Sequence, residues 1–124
     1  MRKIIILIPV FNDWESLIKL INEINENIKN YNKINFECVV VNDASTVSQP
    51  KLIKPNKIQS LQVLNMKKNK GHARCNAFGI RYIFKNKEFD NLILMDGDGE
   101  DRPVEIKSLI NEINNKPNIS IVAK

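Results

Sequence analysis

A chain of 124 residues, 43% of them apolar, is long enough for one domain with a real core. No stretch approaches the roughly 20 apolar residues of a membrane-spanning helix. The two cysteines, Cys38 and Cys75, are spaced neither as a metal site nor as a redox pair, which leaves them as small buried hydrophobes in a reducing, cytoplasmic setting.

The formal net charge of +5 is unevenly placed, because no Asp or Glu occurs between Lys51 and Lys87 while Lys and Arg recur. A basic middle suits nucleic acid, an anionic membrane surface or a phosphorylated small molecule. Aromatic interleaving and nucleic-acid motifs are missing, which argues against nucleic acid.

Arg2-Lys3 and the apolar run after it resemble a signal peptide, but the run is short, contains Pro9 and lacks a small-residue cleavage site. Lys3 to Val10 instead reads as a first strand, covered on both faces because polar residues do not alternate in it. Pro9 removes a ladder donor, as befits a strand terminus. Asn12 is placed to cap a helix, with Glu15 completing a capping box. Leu17, Leu20, Ile21, Ile24 and Ile28 form its apolar stripe, and the helix is expected to fray near Asn30.

Phe36 to Val41 reads as a second strand, ending in the turn-rich Asn42-Asp43-Ala44-Ser45-Thr46. Val47 to Ser60 is expected as loop or weak helix, and Leu61 to Leu64 as a short third strand. The basic loop Asn65 to Gly71 leads into a helix from His72 to Lys87, with Ala73, Ala77, Ile80 and Phe84 inward. Leu92 to Met95 is the fourth strand. A helix with Pro103 in its first turn follows, and its inner face is Val104, Ile106, Leu109, Ile110 and Ile113. A fifth strand starts at Ile119. Apolar strands alternating with helices predict an α/β layered fold with a mostly parallel sheet.

In such sheets ligands bind outside the carboxyl ends of the strands. Four polar clusters fall at those ends: Pro9 to Asp13, Asn42 to Thr46, Asn65 to Arg74, and Asp96 to Asp101. Asp96 and Asp98, two hard oxygen ligands on a glycine-rich turn, suit Mg²⁺ or Mn²⁺; alone, they would equally make a solvated acidic turn. No G-x-G-x-x-G follows the first strand and no G-x-x-x-x-G-K-[ST] occurs, which argues against a dinucleotide-binding Rossmann domain and a P-loop NTPase.

Four segments carry a resemblance to the family 2 glycosyltransferases of GT-A fold. Ile8-Pro9-Val10-Phe11-Asn12 is similar to the family's opening strand exit. Val40 to Thr46 resembles its Asp-Asp-Gly-Ser-Thr turn, with Asn42 for the first Asp and Ala44 for the Gly. Asn69-Lys70-Gly71-His72-Ala73-Arg74-Cys75-Asn76-Ala77-Phe78-Gly79 resembles its Asn-x-Gly…Ala-Arg-Asn…Gly helix start, and Met95 to Pro103 its DxD segment.

The resemblance implies one nucleotide-diphospho-sugar-binding domain over residues 1–124. Its implied reaction is metal-assisted transfer with inversion to a glycan or lipid-phosphate acceptor, in cell-envelope glycan biosynthesis. Asp43 would hydrogen-bond the nucleotide base, and Pro9, Val10 and Phe11 would pack on it. Asp96 would lie near the ribose and sugar phosphate. Asp98 would bind the metal, and Lys70 and Arg74 would approach the diphosphate. The acceptor site and catalytic base are expected beyond residue 124. The Gly71-His72 helix start and the Asp96-to-Pro103 stretch resemble the polyprenol-phosphate sugar transferases, which adds peripheral association with the cytoplasmic membrane face.

Each residue also has a plainer reading: Asp43 as a turn residue, Arg74 as a solvated helix position, His72 as structural, Glu100 and Asp101 as favourable charge at a helix start, Trp14 as packing. The rival functions are a non-catalytic nucleotide-binding or interaction module, and a sugar-phosphate nucleotidyltransferase. The latter would want a glycine-rich basic loop after the first strand.

Overall fold

The computed structural model of the chain describes residues 1–96, 106–114 and 120–123, with backbone only for 114 and 120–123. Its elements run β1 (Arg2–Val10), α1 (Trp14–Asn27), β2 (Ile34–Asn42), β3 (Ile58–Asn65), α2 (His72–Asn86), β4 (Asn91–Leu94), α3 (Ile106–Asn114) and β5 (Ser120–Ala123). The strands form one sheet in the order β3-β2-β1-β4-β5, and every neighbouring pair is parallel. This is the expected α/β layered, GT-A-like architecture.

Central β1 alternates between two cores. Ile4, Ile6, Ile8 and Val10 face the layer of α1 and α3, where they join Leu17, Ile24, Phe36, Val40, Ile106 and Ile110. Ile5 and Leu7 face α2 and join Val39, Val41, Cys75, Ile83 and Leu92. Both sets are apolar because both faces are covered, which is why the strand lacks a period of two in polarity. Pro9 lies inside β1, opposite Val41. Leu7 turns its carbonyl to the β4 side, where it accepts from the Met95 amide at 3.0 Å. Pro9, two residues on, faces the same way but past the end of β4, so its missing donor leaves no ladder bond unmade.

Three expectations need correction. Asn12 does not cap α1. Asp13 is the N-cap, and its carboxylate accepts from the Ser16 amide at 3.2 Å. The third strand is twice its expected length because it pairs with β2 along Ile58–Asn65. Its polar Gln59, Ser60 and Gln62 hid it, and Gln62 is satisfied by the Tyr82 hydroxyl at 2.7 Å. The inner face of α2 is Cys75, Gly79 and Ile83, whereas Ala73, Ala77 and Phe84 are exposed.

Gly79 explains that last rotation. A Cβ there would stand 2.6 Å from Leu7 Cδ1 and 3.1 Å from Val41 Cγ2, so the helix backbone lies directly on the sheet. The closest face is chosen by the smallest residue, and the larger side chains on either side of it are turned outward or to the flanks.

Candidate active site

The connections of the sheet open a crevice. The chain leaves β1 toward β2 by way of α1, and returns from β3 across the other face by α2 to reach β4 on the far side of β1. Neighbouring strands β1 and β4 are therefore joined to helices that depart in opposite directions, which defines the topological switch point where ligands bind. The exits of β1, β2, β3 and β4 all converge at this end.

The exits of β1 and β2 are tied by Asn12. Its backbone is left-handed, at φ 62°, a conformation Asn tolerates better than most residues. Its side-chain oxygen accepts from the amides of Thr46 at 2.7 Å and Val47 at 3.0 Å, and its own amide donates to Ser45 Oγ at 2.8 Å. Trp14 is buried and donates to the Val47 carbonyl at 3.4 Å, closing the unit from below. Of the three residues expected to pack on a base, Phe11 alone is exposed; Pro9 and Val10 are buried.

The exits of β2 and β3 are tied by Asp43, which is 1% exposed. One carboxylate oxygen accepts from the Lys70 amide at 2.7 Å and the other from the Gly71 amide at 2.9 Å. The Cys75 thiol also lies against this carboxylate. Burial first, and then the hydrogen bond and charge of Asp43, push the thiol up to about 12, so it stays protonated as a donor. Asp43 thus fixes where α2 begins. That start has no side-chain cap and no acidic residue in its first turn, so its first amides and the positive end of the helix dipole are available to an anion. Lys70 and Arg74 extend from it, exposed, and line one shallow hollow with Met66 and Phe78.

Across the crevice, Asp96 follows β4. Its Oδ1 lies 3.7 Å from Nδ1 of His72, and both side chains are about two-fifths exposed. Two carboxylates with substrate phosphates suffice for Mg²⁺, and an accessible carboxylate at the sheet's mouth is the hard oxygen donor such an ion takes. Asp98, Glu100 and Asp101 lie outside the described residues. Among the described residues no group of three His, Cys, Asp or Glu could hold a metal by itself, and no helix is long and apolar enough to cross a membrane.

The structure therefore brings Phe11, Asp43, Lys70, Arg74 and Asp96 to one end of the sheet. Asn12 is the member the sequence reading assigned elsewhere; adjacent Asn12 and Asp13 offer alternative caps, and only the left-handed backbone decides between them.

An uncharacterized protein of Methanocaldococcus jannaschii, MJ0544, is 26% identical to this chain over 113 residues, covering 88% of this chain and 46% of the relative. The chain thus spans less than half the length of that protein. The family described as Glycosyl transferase family 2 matches residues 5–124, from within β1 to beyond β5. A match over nearly the whole chain places it in the family, and the all-parallel sheet agrees: the chain belongs to glycosyl transferase family 2.

Proposed function

We propose that residues 1–124 form a single domain that binds the nucleotide-diphospho-sugar donor of an inverting glycosyl transfer. The observation that carries this reading is the joining of three strand exits around one uncapped helix start, with Asp96 facing it through His72. Phe11 packs on the base, backed by the backbone of Pro9 and Val10. Asp43 accepts from the base with lone pairs left over from its two backbone bonds, since a carboxylate offers about four acceptor positions.

The leaving group is a nucleoside diphosphate, and its departure adds negative charge. Lys70, Arg74 and the first amides of α2 stabilise that charge, and Asp43 fixes the backbone from which they extend through the amides of Lys70 and Gly71. Asp96 lies by the ribose and sugar phosphate. Asp98, with Asp96, would hold a Mg²⁺ or Mn²⁺, which supplies Lewis-acid neutralisation of the diphosphate. The acceptor is a growing cell-envelope glycan or a lipid phosphate, and the latter, already anionic, needs little help from a base.

Thermal unfolding against UDP, GDP and their sugars, with and without Mn²⁺, tests the reading. A donor at a hundredfold its dissociation constant adds about 2.7 kcal/mol, a rise on the order of 5–15 °C for a domain of this size. One nucleotide should raise the midpoint in a metal-dependent way, and Asp98→Ala should abolish the metal dependence. A shift equally metal-responsive in Asp98→Ala would refute the metal assignment, and no shift with any nucleotide would refute the donor site.

A further inference from the structure

The acid-free stretch between Lys51 and Lys87 acquires a shape on folding. Along α2, Arg74, Phe78, Arg81 and Lys85 recur at intervals of three or four, which places them in one row along the helix, and Lys70, before the cap, lines the same hollow as Arg74. All four cations are exposed, and none makes a side-chain ion pair or hydrogen bond among the described residues. Two shallow hollows run along the row and meet at Phe78 and Arg81. Phe84, 52% exposed, stands beside the row at its far end. Phe78, within the row, is partly buried against the core, so Phe84 is the exposed aromatic of the helix.

We propose that this outward face of α2 docks on an anionic lipid bilayer. A helix lying flat with a cationic row and a half-exposed Phe84 beside it has the make-up of an interfacial helix, whose cations meet acidic headgroups while the exposed edge of that ring meets the headgroup boundary. Nucleic acid is served less well. The inner face of α2 is seated on the sheet through Gly79, so the helix does not project as a groove-reading helix must. The Phe84 ring is held edge-to-face against Phe89 at 5.1 Å, at an interplanar angle of 81°, and is not set out as a stacking platform. The inference is separable from the donor site at Phe84 and Lys85, which do not line the hollow that Arg81 shares with Lys70 and Arg74.

Sedimentation of the chain with vesicles tests it. Binding to phosphatidylcholine containing about a quarter phosphatidylglycerol should exceed binding to phosphatidylcholine alone by roughly tenfold or more, and should fall steeply between about 50 and 300 mM salt. The double variant Arg81→Glu, Lys85→Glu should lose that preference, and Arg81→Gln, Lys85→Gln should lose part of it. Phe84→Ser should weaken binding without changing its salt dependence. Circular dichroism confirms that the variants fold, and the nucleotide-induced midpoint shift should be unchanged in Phe84→Ser, which lies outside the hollow of Lys70 and Arg74. No preference for the acidic vesicles, or a double variant that binds as wild type, overturns the proposal. So does tighter binding to a single-stranded oligonucleotide that the same variants abolish.

Discussion

Ala44 holds a left-handed backbone, at φ 55°, in the turn where the family's usual residue is glycine. A side chain with a Cβ is strained there by roughly 1–2 kcal/mol, part of which a glycine would give back as extra freedom in the unfolded chain. Ala44→Gly should therefore stabilise the protein by about 0.5–1 kcal/mol, read as a higher denaturation midpoint at unchanged m-value; a lower midpoint would show that the turn is not strained. The strain was legible only by comparison, as a departure from the glycine of the family's turn. The left-handed Asn12 was not legible at all. Asn12 and Asp13 are both good caps, both precede the helix, and the choice rests on contacts with Thr46 and Val47 more than thirty positions away. Local spacing contains no trace of such contacts.

At the scale of elements, the least common arrangement is a buried carboxylate that joins a strand to a helix it does not precede. Asp43 leaves β2, and its oxygens hold the two residues before α2. Asp43→Asn keeps the size but replaces one acceptor by a donor facing a backbone N–H, at a cost of about 1–3 kcal/mol. Amide exchange at Lys70 and Gly71 should accelerate by more than the global loss of stability accounts for. Exchange that follows global stability alone would mean the clamp does not hold the loop. The order of the elements was readable because strands buried on both faces and helices with an apolar stripe differ in period. The orientation of α2 was not. Its stripe of Ala73, Ala77, Ile80 and Phe84 is a valid helical face, yet the packing distance at Gly79 selects Cys75, Gly79 and Ile83. Hydrophobicity says which residues want burial, whereas close approach depends on which residue is small. The polar β3 was half missed for a related reason, because its partners Glu37 and Tyr82 lie on other elements.

Across the whole molecule the two ends of the sheet are built differently. The carboxyl end is held mostly by backbone amides and carries the candidate site. Toward the amino end, Glu37 of β2 is buried and accepts from Ser60 of β3 at 2.8 Å, while pairing with Lys3 of β1 and with Lys87 after α2. Burial alone would raise its pKa, but the hydrogen bonds from Lys3, Ser60 and Lys87 and the charge of Lys87 outweigh it and hold the carboxyl below its ordinary value. A depressed carboxylate contributes its stability above the unfolded-state pKa and loses it as pH falls through the folded one. Glu37→Gln should accordingly cost on the order of 3 kcal/mol at neutral pH. The gap from wild type should close on acidification below the ordinary glutamate range of about 4. A gap that is the same at neutral and acid pH would exclude the ion network as its cause.

The position of β1 also sets a schedule. It precedes both of its neighbours in the chain, pairing on one side with β2 and on the other with β4, whose partners begin at Asn91. The Asp90 carboxylate accepts from the Lys3 amide, and the Asn91 side-chain oxygen accepts from Arg2, across 87 and 89 positions of the chain. A growing chain therefore carries Ile4 to Ile8 half-covered until its fourth strand emerges, since closure across so many residues is slow and comes late. During that interval the stickiest of these five strands is also the oldest of them, so the burden on the cell's holding chaperones falls before the candidate site exists.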